Sequence, residues 1–236
     1  MTNIKPLGGK AYGSIPHLPG SKFGNRDDKG IDIKTADYFL RNPGKKNLIL
    51  VTEKLDGTCV SVAKIDGEII PLIRAGYKAE TSRWVQHHLF AQWVCENKGK
   101  FEYLKNNERI CGEWLAMAHG TIYDLDGRDP FVPFDLFSGL TRKPYQDLID
   151  YCDDNGLSCA PLLYYGYEHG CDIETALKHL GDHGYYGAVD IAEGCVWRWE
   201  RSNGIIGMAK YVRPEKEIGK YLEGVTGNDP IWNINI

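Results

Sequence analysis

Seven charged residues fall on stretches that otherwise read as strands or strand ends, in the order Lys54, Asp56, Arg74, Glu113, Asp135, Glu193 and Lys210. Cations and carboxylates gathered on one set of strands suit a phosphate together with a divalent metal. Lysine and arginine neutralise phosphate oxygens. Carboxylates hold a hydrated Mg2+, directly or through its waters. A lysine among such neighbours can act as a covalent nucleophile when desolvation or nearby cations lower its pKa. Nothing in the set offers a His-Ser or Cys-His arrangement for acyl transfer. Each residue also has a plainer reading when taken singly. Lys54, within Glu53-Lys54-Leu55-Asp56-Gly57-Thr58, is equally a surface lysine before a turn. Glu113 and Asp135 are equally acids at partly exposed edges. Inside an apolar strand, however, an acid is costly unless paired or metal-bound, and Lys210 in its apolar stretch needs an anion.

The elements that must hold these residues are mostly strands. Leu48-Ile49-Leu50-Val51 reads as a buried strand ending at Lys54. Cys59–Ala63 and Glu68–Arg74 follow as a hairpin about Asp66-Gly67, which sets Arg74 at a strand end. Arg109–Ala116 and Phe131–Phe137 read as strands carrying Glu113 and Asp135. The last hairpin joins Gly194–Glu200 to Ile205–Val212 through Asn203-Gly204, with Glu193 just before it and Lys210 within it. Helices are expected between. One is capped by Thr81 or Ser82, with Val85, Leu89, Phe90, Trp93 and Val94 inward as core rather than as a stacking platform. Another runs from Pro144 to Asn155 with Leu148, Ile149 and Cys152 inward, and Gly156 stops it. A third is capped by Asp172 with Ile173, Ala176, Leu177 and Leu180 inward. His179 and His183 have a metal-binding helical spacing, but Gly181 between them ends the helix first. The first 45 residues read as extended chain and turns, with Asn25–Gly30 an exposed loop. After Pro214 comes a charged piece compatible with a helix.

The totals narrow the class. At 236 residues the chain can bury a sizeable core, and 42% hydrophobic with 25% charged residues is ordinary for a globular protein. No apolar run approaches the length of a membrane span, and the N-terminus lacks an apolar signal segment. Seven cysteines with no Cys-x-x-Cys pair suggest reduced thiols in a cytoplasmic setting and no structural zinc site. A net charge of −4 does not suit bulk coating of nucleic acid, though a local basic patch remains compatible with it.

In this order the residues resemble the motifs of the covalent nucleotidyltransferases, the ATP-dependent ligases and mRNA capping enzymes. Lys54–Gly57 resembles motif I, Arg74-Ala75-Gly76 motif Ia and Gly112-Glu113-Trp114 motif III. Phe134-Asp135-Leu136-Phe137 is similar to motif IIIa, Glu193–Arg198 to motif IV, and Ala209–Arg213 to motif V. Within that superfamily the wording of Tyr12–Leu18, Glu193–Val196 and Lys210–Arg213 most resembles RNA ligases of the phage RNA ligase 2 type. Motif V in relatives often carries two lysines at alternate positions. Here Lys210 stands alone, with Arg213 an off-register partner.

The resemblance implies an α+β nucleotidyltransferase fold, ATP-grasp-like, of antiparallel sheets flanking a nucleotide cleft. It implies one nucleotidyltransferase domain over residues 1–236, since the 23 residues after Arg213 are too few for the OB domain of DNA ligases. It also implies the roles. Lys54 attacks the α-phosphate of ATP, Arg74 and Lys210 bind the transferred phosphate, and Glu113 holds the ribose. Phe134 stacks on adenine, Glu53 belongs to the nucleotide pocket, and Glu193 positions Mg2+ or Mn2+. AMP then passes to an RNA 5′-phosphate, which a 3′-hydroxyl seals, with a partner protein or RNA-binding subunit aiding RNA capture. A capping-type guanylyltransferase, a DNA ligase and an inactive nucleic-acid-binding relative are the alternatives.

Overall fold

A computed structural model of the chain describes residues 4–24, 27–41, 44–202 and 204–235. In chain order its helices and strands are α1 (Ile33–Leu40), β1 (Leu48–Lys54), β2 (Thr58–Ile65), β3 (Glu68–Ile73), α2 (Val85–Glu96), β4 (Glu108–Trp114), β5 (Phe131–Ser138) and β6 (Thr141–Arg142). There follow α3 (Tyr145–Asp154), β7 (Leu162–Tyr167), α4 (Ile173–Leu180), β8 (Gly194–Arg201), β9 (Gly204–Val212) and α5 (Glu223–Thr226). Helices and two antiparallel sheets make this the α+β fold expected from the sequence. No described helix is long and apolar enough to cross a membrane.

The chain divides into two compact units. The first gathers the described residues of Met1–Gly13, Thr58–Ala116 and Asp129–Cys159. Its sheet has the order β3-β2-β4-β5-β6. The β2–β3 hairpin turns on Asp66 and Gly67, both with positive φ (51° and 83°). That is the backbone a two-residue turn needs to match strand twist, and it explains the Asp-Gly pair. The core here is aromatic. Phe90 and Trp93 of α2, with Phe101, Trp114 and Phe131, meet at ring separations of 5.3–6.1 Å. Phe90 and Val94 of α2 are buried as expected, but Val85 is 59% exposed and His87 takes an inward place. The reason lies at the helix start. Ser82 Oγ bonds His87 Nδ1 at 2.6 Å and accepts from Trp84 N, so Trp84, not Thr81 or Ser82, is the capping position.

The second unit gathers Ser14–Gly57, Met117–Arg128 and Ala160–Ile236, again in their described residues. Its sheet has the order β7-β1-β8-β9. One face packs Ile49, Val51, Cys195, Trp197 and Ala209 against Ala36 and Phe39 of α1 and Ala176 and Leu180 of α4. Among these, Ile49, Val51, Phe39 and Leu180 each contribute about 2 kcal/mol on leaving water. Alternation along a strand then sends Lys54 and Lys210 to the other face. The Asp172 cap forms as expected, its carboxylate accepting from Thr175 N, and α4 ends at Gly181, φ 66°. In the β8–β9 turn Asn203 lies outside the described residues, as do Asn25 and Arg26 of the expected loop. Three elements go beyond the sequence reading. They are α1, capped by Asp32 within the stretch read as extended, the two-residue β6, which pairs with β5, and β7, which pairs with β1.

Candidate active site

In the second unit, strand register brings the chain's charged ends together. Lys54, last in β1, pairs with Gly194, first in β8, and Gly194 pairs with Val212 of β9. Glu193 immediately precedes that point. Lys54 Nζ donates to Glu193 Oε2 at 2.5 Å. Glu193 is only 7% exposed. Burial pushes its carboxyl up to about 7, with the Lys54 ammonium pulling the other way and Asp56 adding to the rise. Lys210 finds the anion its sequence context demanded, since its Nζ lies 3.5 Å from Asp28 Oδ1. Burial lowers the Lys210 pKa, and the charge of Lys54 is the next cause, so the two ammonium groups sense each other. Asp28 is also 3.4 Å from His17 Nε2, and His17 Nδ1 bonds Ser21 Oγ at 2.6 Å. The backbone holds this group together. Lys210 N donates to Pro16 O and Leu18 N to Lys210 O, so residues 16–18 lie along β9.

The 54–57 turn is held from the side of residues 119–123. Asp56 Oδ2 accepts from Gly120 N and Thr121 Oγ1, both at 3.0 Å, and Tyr123 Oη accepts from Asp56 N at 2.9 Å. Position 120 requires glycine, because a Cβ there would lie 2.5 Å from Glu217 O and 2.7 Å from Asp56 Oδ2. Burial lowers the His119 pKa, with Asp56 opposing and Lys54 reinforcing. Glu53 lies on the opposite strand face from Lys54. It is 2% exposed and accepts from Tyr185 N through Oε2, while Oε1 has no hydrogen-bond partner among the described residues. Burial pushes it up to about 7, opposed by the Tyr185 hydrogen bond and Arg128.

The remaining sequence-derived residues lie in the first unit. Arg74 is exposed in the turn after β3. Its carbonyl accepts from Ala11 N and Tyr12 N, and its Nη2 donates to Gly13 O. Phe134 of β5 is half-buried and meets Tyr12 edge-on at 5.1 Å. Glu113 of β4 pairs with Cys59 and Val132. The Cys59 thiol is pushed up by burial and then by Glu113, with Arg74 opposing, so these groups share one neighbourhood. Asp135 is fully buried, not an edge acid. Tyr12 Oη donates to it at 2.6 Å, and Arg142 Nε makes an ion pair with it at 3.0 Å.

Several residues of the second unit escaped the sequence reading. Asp28 falls in the stretch read as an exposed loop, and Lys216 in the charged piece after Pro214. The only signal for Lys216 was its place just past the β9 motif. Arg213, the suggested partner for Lys210, instead donates through Nη2 to Gly181 O. His179 bonds Leu163 O, and among the described residues no three or more His, Cys, Asp or Glu side chains cluster as an all-protein metal site would require.

The RNA ligase family model matches residues 47–212, a span that contains Lys54, Arg74, Glu113, Phe134, Glu193 and Lys210. The chain is similar to solved structures of a Naegleria gruberi RNA ligase. A mutant of that protein with ATP and Mn aligns at 22% identity and TM-score 0.50, over 72% of this chain and 51% of that one. A second mutant with ATP and Mn aligns at 20% identity and TM-score 0.52, over 87% and 62%. The complex with PPi aligns at 21% identity and TM-score 0.51, over 97% and 63%. At such identities the likeness establishes the fold. In the first of these alignments the chain spans about half the length of the Naegleria protein. Among curated proteins none matches the sequence.

Proposed function

The chain belongs to the RNA ligase family, and from that premise we propose that it joins RNA ends at the expense of ATP through an AMP adduct on Lys54. The observation that carries this reading is the pairing of Lys54 with Glu193, 139 residues apart, beside Lys210. Lys54 Nζ, once deprotonated, attacks the α-phosphorus of ATP. The N–P bond forms as the bond to pyrophosphate breaks. An RNA 5′-phosphate oxygen then attacks the same phosphorus and Lys54 leaves. A 3′-hydroxyl attacks the activated 5′-phosphorus, and AMP leaves. Transfers of this kind depend on positioning and charge stabilisation.

Lys210 and Arg74 serve as phosphate cations, Glu113 as the ribose acceptor, Phe134 as the adenine platform and Glu53 as part of the nucleotide pocket. Arg74, Glu113 and Phe134 rest on family resemblance and on their own shared neighbourhood. The donor set suits Mg2+ or Mn2+. A hard cation taking one carboxylate, its own waters and substrate phosphates needs no all-protein cage, and Glu193 offers such a carboxylate. The metal would neutralise charge on the departing pyrophosphate. The chain acts as one nucleotidyltransferase domain in the cytoplasm, on RNA with a 5′-phosphate and a 3′-hydroxyl, and a partner protein or RNA-binding subunit would aid RNA capture.

Mass spectrometry after incubation with ATP and Mg2+ tests the first step. One AMP should appear on the wild type and none on Lys54→Ala. An adduct on another lysine refutes the assignment, and labelling from GTP instead of ATP favours the capping alternative. Sealing of a nicked duplex tests the rest. With a net charge of −4, few phosphates are neutralised outside the site, so joining should be faster at a nick than on single strands and should weaken with salt. Acceptance of DNA 3′-hydroxyl strands alone would make it a DNA ligase.

A further inference from the structure

We propose that Lys216 is a positioning residue for Lys54, acting through Thr121 and Asp56. The inference deepens the lysyl-adenylate reading and rests on it. The Lys216 side chain is 1% exposed. Its ammonium donates to Thr121 Oγ1 at 2.5 Å and to Ile191 O at 2.8 Å, and lies 3.8 Å from Asp56 Oδ2. An ammonium so enclosed is committed to protein acceptors, which sets it apart from the phosphate-binding cations.

What it fixes follows from donor and acceptor roles. Lysine has donors only, so the Thr121 hydroxyl must accept from it, and the single hydroxyl proton goes to Asp56. Thr121 Oγ1 is 3.0 Å from Asp56 Oδ2, and Thr121 itself is fully buried. A directed chain therefore runs from Lys216 through Thr121 to Asp56, two residues beyond Lys54. The other acceptor, the carbonyl of Ile191, lies two residues before Glu193. One buried cation thus ties together the two segments that carry the 2.5 Å Lys54–Glu193 contact.

Its surroundings keep the cation in place. Burial lowers the Lys216 pKa, while Asp56, Glu193 and Asp190 raise it and Lys220 lowers it again. The segment carrying Lys216 is itself braced. Lys22 Nζ donates to the carbonyls of Pro214 and Lys216, and Tyr221 N donates to His119 O. Without the ammonium, the Thr121 proton is free to turn away and the Asp56 carboxylate loses its buried counter-charge. The 54–57 turn then loses its fixed direction towards Glu193. Displacing a reacting group by about 1 Å lowers rates on the order of 100-fold.

The test compares wild type, Lys216→Met, Thr121→Val and the double variant in single-turnover formation of protein-bound AMP across a range of ATP concentrations. Thr121→Val keeps side-chain volume and carries the test should Lys216→Met fail to fold. Each single variant should slow the maximal rate on the order of 100-fold, with the ATP concentration for half-maximal rate changed by less than about twofold. The double variant should be no slower than the slower single one, as members of one chain of contacts are not additive. Undiminished rates in both single variants, additive losses, or a loss confined to apparent ATP affinity would each overturn the proposal. A wild type that forms no protein-bound AMP would instead overturn the ligase reading on which it stands.

Discussion

Lys54 Nζ and Glu193 Oε2 lie 2.5 Å apart because β1 ends where β8 begins. The nucleophile proposed for this chain is therefore held by a carboxylate whose own ionisation is poised. Burial pushes Glu193 up to about 7. A carboxylate must be ionised to hold Lys54 or a metal, and below about pH 7 that form is lost. Formation of protein-bound AMP should therefore rise as pH increases through about 7. Glu193→Gln should lower the rate by about two orders of magnitude and remove the Glu193 part of that limb, leaving the rise that deprotonation of Lys54 itself requires. An unchanged limb in Glu193→Gln would assign it to another group.

Lys210 offers a second test. Its ammonium faces Asp28 at 3.5 Å. Removing one preorganised cation from a phosphate site costs about 100-fold or more in rate, so Lys210→Met should adenylylate at most about a hundredth as fast. Asp28→Asn, which keeps the cation and alters only its resting partner, should cost far less. Equal losses in the two variants would mean that the pair acts only as a structural tie.

Glu53 makes stability depend on pH. Its folded pKa is raised to about 7 by burial. A group raised in this way binds its proton more tightly in the folded state. Its stabilising contribution is full below the unfolded value near 4 and is lost as pH rises through about 7, by about 3 kcal/mol in all. Urea denaturation between pH 5 and 8 should show this decline on top of a like one from Glu193, and Glu53→Gln should remove the Glu53 part. A decline of the same size in Glu53→Gln would trace it elsewhere.

Asp135 is a buried acid whose partners include Tyr12 and Arg142. Breaking a buried charge pair from one side costs about 3–5 kcal/mol, so Asp135→Ala should lose stability on that scale by denaturant titration. Tyr12→Phe removes one hydrogen bond to a charged group and should lose about 2 kcal/mol. Losses under about 1 kcal/mol in both would show that the network is not coupled to folding.

Much of this arrangement is legible in the amino-acid order, for local reasons. An apolar run ending at Lys54, the Asp66-Gly67 turn and the Asp172 cap each announce themselves within a few residues. The demand for partners is equally legible, since a carboxylate at 135 and a lysine at 210 sit among apolar neighbours. The identity of those partners is not. Tyr12 lies 123 residues from Asp135, and Asp28 stands in a loop whose composition reads as solvated. Lys216, between Glu215 and Glu217, reads as one of three exposed charges, yet it is almost wholly enclosed. Burial of a charge is decided by how the sheet edge and the following turns close, which no local window reports. The strand β7 was missed for a related reason. Its tyrosine-rich run alternates weakly, and pairing with β1 defines it.

Asp28 and Glu193 give the resting protein an internal ionic balance, with one carboxylate set against Lys210 and one against Lys54. A nucleotide bound here as proposed would not meet bare charge at either lysine. On the proposed reading it must exchange partners, displacing a tethered carboxylate at each of these two lysines. A single weak anion gains little from such an exchange, whereas a triphosphate carrying its metal offers several contacts at once. On that reading the two tethered acids would act as a threshold, favouring polyvalent ligands over single weak anions.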